Sequence, residues 1–210
     1  MAKILASPGR YIQGPGEINR IREHLSRLDG PFLFVMGGHA YAMLSQTIRD
    51  SYGDDGMTVC ERFQGECTRE EISRLRTLFQ EHGCRAVAGV GGGKAIDTAK
   101  GVAYYEACPV ISIPTIASTD APTCSIAVTY TTDHVFDGNL VLSRNPEIIL
   151  VDTEIIARAP VRFLVCGMGD ALSTFFEATA NASSGHENFV GGTATLTSVA
   201  LAELCYRTLI

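Results

Sequence analysis

Residues 86–114 constrain this chain more than any other stretch. AVAGV (86–90) is an apolar run of strand length, Gly91-Gly92-Gly93 makes a turn, residues 94–105 read as a helix, and VISIP (110–114) is a second apolar run. Strand, turn, helix, strand is a βαβ unit. Its strands are parallel, its crossover is right-handed, and both faces of its sheet must be covered.

The rest of the first 155 or so residues keeps the same rhythm, which means α/β. PFLFVM (31–36) is apolar throughout and stops at Gly37-Gly38, so a buried strand is expected there, followed by a helix from about Ala40 to Arg49. Thr68-Arg-Glu-Glu71 has the form of a capping box, and Ile72, Leu75 and Leu78 then repeat at helical spacing as far as Gly83. Residues 126–142 alternate apolar and polar about Asp137-Gly138 and read as a hairpin turning there, and EIILVD (147–152) is one more strand. From Pro160 the pattern is helical, with a break near Ser183-Ser-Gly185 and a last helix to Ile210. The expected organisation is an α/β domain over 1–159 and a helical domain over 160–210.

Net charge is −6 over 210 residues, which opposes a nucleic-acid surface or an anionic membrane as partner. No apolar run approaches the ~20 residues of a membrane span, and no signal-peptide core opens the chain. The seven cysteines are widely spaced with no C-x-x-C pair, so they suggest neither a disulfide framework nor a cysteine zinc site. Free thiols in that number fit a reducing compartment, and a cytoplasmic protein acting on small molecules is expected.

Three places carry candidate chemistry. GVGGGKAIDTAK (89–100) puts a glycine turn between a buried strand and a helix, where backbone N–H groups can hold a phosphate. It matches neither the P-loop spacing nor a full G-x-G-x-x-G, and a tight βα turn that simply needs glycine explains it equally well. TIASTDAPTCS (115–125) is rich in hydroxyls and follows a strand end, where open α/β sheets place ligands; Asp120 within it is either a turn residue before Pro122 or a reacting carboxylate. Asp170, in CGMGDALSTFFEA, reads as a helix N-cap or a functional acid. Histidines 24, 39, 82, 134 and 186 have no metal-binding spacing, and no three-ligand site can be assembled from spacing alone.

Taken together, SPGRYIQG, GECTREEISRLR, GVGGGKAIDTAK, PTIASTDAPT, NPEIILVDT, GMGDALSTFFEA and ALAELCYRTL closely resemble the glycerol dehydrogenases of the iron-containing alcohol dehydrogenase superfamily, in order along the chain. The resemblance implies a dehydroquinate synthase-like fold: a Rossmann-like parallel sheet followed by the start of an all-helical domain. It also implies a homo-oligomer that oxidises glycerol to dihydroxyacetone by hydride transfer to NAD, assisted by zinc. Carried over by motif, Gly92, Gly93 and Lys94 would contact the cofactor diphosphate, and Asp97 would support that turn. Thr115, Ser118, Cys124, Ile126 and Tyr130 would line the nicotinamide side. Asp120 would lie beside glycerol, and Asp170 would be the first metal ligand.

Three departures bear on these implications. Where the family carries an Asp that holds the adenosine ribose, VMGGHAY has Gly38, so NADP is not excluded. Cys124 stands where the family pattern has serine. The family's two other zinc ligands are histidines beyond ALAELCYRTLI. The expectation is therefore a truncated dehydrogenase with impaired or absent catalysis that does not hold zinc, and the competing expectations are a non-catalytic dinucleotide-binding module or a related polyol or hydroxy-acid dehydrogenase. Self-association is expected through Leu196, Val199, Leu201 and Leu204 of the last helix.

Overall fold

The computed structural model describes residues 1–53 and 55–210. Along the chain come β1 (Arg10–Gly14), a 3-10 turn (Glu17–Arg20), α1 (Ile21–His24), β2 (Phe32–Met36), α2 (Gly38–Tyr52), β3 (Thr58–Arg62), α3 (Arg69–Glu81), β4 (Ala86–Gly91) and α4 (Gly93–Glu106). They are followed by β5 (Val110–Pro114), β6 (Ile126–Tyr130), β7 (Phe136–Val141), β8 (Ile148–Asp152), α5 (Thr153–Arg158), α6 (Val161–Ser184) and α7 (Leu196–Leu209). Two compact units emerge, one of residues 8–116 and 121–159, the other of residues 1–7, 117–120 and 160–210.

The first unit is a six-stranded sheet of order β1-β8-β5-β4-β2-β3, every adjacent pair parallel. Successive residues of its central strands point to opposite faces, so the apolar runs build two cores. Phe32, Phe34, Met36, Ala88, Val90 and Ile111 pack with α2 residues such as Leu44 and Ile48. Leu33, Val35 and Val87 pack with Ile72 and Leu75 of α3 and with Ala99 and Val102 of α4. The Rossmann-like parallel sheet followed by helices is thus the arrangement expected from the sequence.

Local signals behave as their chemistry dictates. The Thr68 hydroxyl accepts the Glu71 N–H and starts α3. Gly185, left-handed at φ +66°, ends α6. Two expectations are corrected. The hairpin does not turn at Asp137-Gly138, which lie inside β7; it turns over residues 131–135, closed by Thr131 N to Val135 O at 2.8 Å and Val135 N to the Thr131 hydroxyl at 3.2 Å. Asp137 is drawn into the strand by Arg69, whose Nε lies 2.6 Å from its Oδ2. Asp170 is not a helix cap, because α6 already runs from Val161 and carries it internally.

The edge strands β1 and β3 had no apolar run to announce them, since each is paired on one side only. β1 is secured through Asp152 at the end of β8. The Asp152 carboxylate, 2% exposed, caps α5 by accepting from Glu154 N and Ile155 N, and also accepts from Gly16 N at 3.1 Å and Ile18 N at 3.0 Å. Asp152→Ala removes all four bonds and is expected to cost about 2–4 kcal/mol, measurable by urea unfolding; an unchanged midpoint would show that these bonds contribute nothing net.

In the second unit, α6 and α7 lie together through Phe175, Phe176 and Tyr206, whose ring centroids are 5.0–5.7 Å apart. α6 is 24 residues long with no fully buried side chain. No helix among the described residues is long and apolar enough to cross a membrane.

Candidate functional site

Because all six strands are parallel, their C-terminal ends share one edge. β2 leads through α2 to β3 on one side, whereas β4 leads through α4 to β5 on the other, so the connections diverge between β2 and β4. In open parallel sheets that divergence leaves a crevice beyond the strand ends, and ligands bind there.

Both turns flanking the crevice are glycine, and they touch. Gly37 N donates to Val90 O at 2.9 Å, and a Cβ added to Gly91 would stand 3.4 Å from Gly37 N. Gly91 has φ +152°, a conformation that disfavours any other residue. At Gly89 an added Cβ would come within 2.7 Å of Ile96 Cα, so only glycine lets α4 lie this close to β4. Gly92 is the N-cap of α4 without a side-chain cap, and the N–H groups of Gly92, Gly93 and Lys94 have no acceptor among the described residues. These donors can hold an anion. Thr115 joins the same edge, its N–H bonded to Gly91 O at 3.0 Å.

The Lys94 ammonium lies 2.6 Å from Glu66 Oε2, and His134 Nδ1 lies 2.7 Å from the same oxygen. Burial pushes the Glu66 carboxyl up, but the Lys94 and His134 bonds and the Cys67 N–H outweigh it and hold its pKa below the ordinary glutamate value. Asp97 sits one turn into α4 and faces inward. Its carboxylate meets the fully buried Lys100 ammonium at 3.4 Å and Val128 N at 3.3 Å. Lys100 also donates to Ala121 O at 2.5 Å and Ile126 O at 2.8 Å, with Cys124 Sγ at 3.4 Å. Lys100 therefore ties α4 to the chain leading into β6. On β6 the core takes Ala127 and Thr129, and Ile126, Val128 and Tyr130 share the opposite face.

In the helical unit, the segment 117–120 packs on α6. A Cβ at Gly167 would come 2.2 Å from Ala117 O and 3.3 Å from Ser118 Cα, so glycine is required there. Asp120 N donates to Asp170 Oδ2 at 2.9 Å, which puts two carboxyl-bearing residues side by side. Among the described residues no three His, Cys, Asp or Glu side chains converge in a way that would hold a metal ion.

Of the residues singled out in the sequence, the structure gathers Gly92, Gly93, Lys94 and Thr115 at the crevice. It gathers Ser118, Asp120 and Asp170 in the helical unit. Asp97 and Cys124 meet around Lys100. Glu66, His134 and Lys100 were missed: only the i,i+3 spacing of Asp97 and Lys100 on one helix offered a signal.

The profile of the iron-containing alcohol dehydrogenases matches residues 8–153. The chain belongs to the iron-containing alcohol dehydrogenase family. It is similar to a glycerol dehydrogenase of Escherichia coli O6:H1 (46% identity) and one of Citrobacter freundii (43%), in each case over 100% of this chain and 58% of the relative. The crystal structure of a probable glycerol dehydrogenase from Sinorhizobium meliloti superposes with a TM-score of 0.93 at 43% identity, covering 99% of this chain and 57% of that one. This member of the family thus spans somewhat more than half the length of the relatives it matches.

The Glu66 cluster has a pH signature. Its depressed pKa means that the stabilisation is present above the ordinary glutamate pKa of about 4.3 and is lost as pH falls through the folded-state value. Glu66→Gln is expected to melt below the parent at pH 7 and together with it in acid, by thermal melts across pH; a gap that persists at low pH would contradict the assignment.

Proposed function

We propose that this chain binds a nicotinamide dinucleotide across its strand-end crevice and serves the oxidation of glycerol to dihydroxyacetone. The observation that carries the reading is the pair of touching glycine turns where β2 and β4 diverge, with uncapped N–H groups at the start of α4. The diphosphate fits the Gly92, Gly93 and Lys94 turn, and Asp97 holds that helix in place through Lys100 and Val128. Thr115, Ser118, Cys124, Ile126 and Tyr130 are assigned to the nicotinamide side, where they exclude water and orient the ring. Asp120 is assigned to the substrate, as an acceptor for glycerol hydroxyls. Glycerol is supported as substrate by the relatives named glycerol dehydrogenases.

A bound nicotinamide would supply the acceptor for hydride from the carbinol carbon, with the hydroxyl proton passing to solvent. A bound zinc would supply acidification of that hydroxyl. Asp170 is assigned as one donor to such an ion, but the described residues do not complete a ligand set, since a catalytic zinc needs about three. The competing reading is a module that binds dinucleotide without turnover. The seven unpaired cysteines support a reducing, cytoplasmic setting.

Titration with reduced dinucleotide, followed by nicotinamide fluorescence, tests the first step. Saturable binding is expected, weakened at least about tenfold by Gly92→Asp, which puts a carboxylate among the phosphate donors. No binding would remove the proposal. Nicotinamide reduction with glycerol as donor tests the second: faster turnover of glycerol than of other diols or hydroxy acids supports the substrate, and binding without turnover favours the module.

The chain is also proposed to self-associate through the helical unit, where Leu196 is 86%, Leu201 56% and Leu204 60% exposed, with Val199 half-buried beside them. Light scattering is expected to show an oligomer that Leu201→Glu with Leu204→Glu shifts towards monomer; a monodisperse parent monomer would refute it.

A further inference from the structure

The flank of the crevice beyond β2 carries one exposed cation that the dinucleotide reading has not used. Arg62 closes β3, where it pairs with Met36 of β2, and Gly37 and Gly38 follow Met36 directly. Its guanidinium lies across Gly38: a Cβ added there would meet Nη2 at 3.2 Å, Nε at 3.4 Å and Cζ at 3.6 Å. A Cβ at position 38 would stand in close contact with that group, so the guanidinium rests over bare backbone at this corner.

The surrounding charges leave the arginine available. The turn Met36-Gly-Gly-His-Ala40 has no carboxylate. Neighbouring Glu61 is engaged by Arg74, whose Nη1 lies 2.5 Å from it, and Glu71 is engaged by the same arginine at 2.7 Å. Among the described residues no carboxylate pairs with Arg62.

We propose that Arg62, seated across Gly38 at the rim of the strand-end crevice, binds the 2′-phosphate of a phosphorylated dinucleotide, so that this chain takes NADP(H) in preference to NAD(H). The inference rests on the dinucleotide reading: with the diphosphate at the β4 turn and the nicotinamide half on the β5 side, the adenosine half lies over β2 and β3. In dinucleotide folds the strand-end residue near the adenosine ribose sets the choice. An acidic side chain bonds the 2′-hydroxyl and repels a phosphate, whereas a nearby arginine accepts the phosphate. A guanidinium meets a phosphate with two parallel N–H bonds, which a lysine cannot reproduce. The β3 end is two strand spacings, roughly 10 Å, from the β4 turn.

Calorimetric titration with 2′,5′-ADP and 5′-AMP isolates the adenosine half and needs neither metal nor turnover. The parent chain is expected to bind 2′,5′-ADP at least about tenfold more tightly than 5′-AMP. Arg62→Ala should bring that ratio close to one while 5′-AMP affinity is kept, Arg62→Lys should leave an intermediate ratio, and Gly38→Asp should lower 2′,5′-ADP binding; thermal melts confirm that each variant is folded. Equal affinities in the parent, or a ratio that survives in Arg62→Ala, would overturn the assignment while 5′-AMP and NADH binding kept the dinucleotide reading intact. If the parent bound none of 2′,5′-ADP, 5′-AMP, NADH and NADPH, both would fall together.

Discussion

A fully buried ammonium holds the working edge of the sheet in place. Lys100 lies on the inner face of α4, and its charge is balanced by Asp97 one turn earlier and by the carbonyls of Ala121 and Ile126. A buried charge is tolerated only when its partners are close and its donors are used, and removing a partner costs several kcal/mol. The helix that starts at the Gly92 turn and the chain that leads from Ala121 into β6 are therefore tied together.

The crevice depends on backbone rather than on side chains. Gly89 brings α4 against β4, Gly91 adopts a conformation other residues resist, and Gly37 abuts Gly91 from the neighbouring turn. A side chain at Gly89 would push α4 away from β4, and one at Gly91 would press on Ala95 and on Gly37. Two polar groupings flank these turns, Lys94 with Glu66 on one side and Arg62 over Gly38 on the other. The helical unit is built differently: its longest helix has no fully buried side chain, and its order rests on the Phe175, Phe176 and Tyr206 ring cluster and on the seat that Gly167 offers to Ala117.

How much could be read beforehand follows from how each element is stabilised. β2, β4, β5 and β8 are buried almost throughout on both faces, so their sequences are short, mainly apolar runs of strand length. α3 is announced by Thr68, because a capping hydroxyl is a local device. β1 and β3 are edge strands with mixed sequences, and their pairing comes from neighbours distant in the chain. The hairpin shows a local signal overruled: Asp137-Gly138 has turn chemistry, yet Arg69, 68 residues away, holds Asp137 in the strand while Thr131 closes the turn earlier. The site divides in the same way. Gly92, Gly93 and Lys94 are adjacent in the chain and were visible together, whereas the pairing of Lys94 with Glu66 and of Asp120 with Asp170 joins residues 28 and 50 positions apart.

The sequence by itself determined the parallel α/β sheet, the glycine turn and the change to helix near Pro160, because each is written in residues that are neighbours along the chain. Tertiary structure alone decided where the sheet's connections diverge, that Asp97 turns inward to a buried lysine, and that Arg62 lies across Gly38. Those are consequences of strand order, and strand order is fixed by burial summed over the whole sheet rather than by any local pattern.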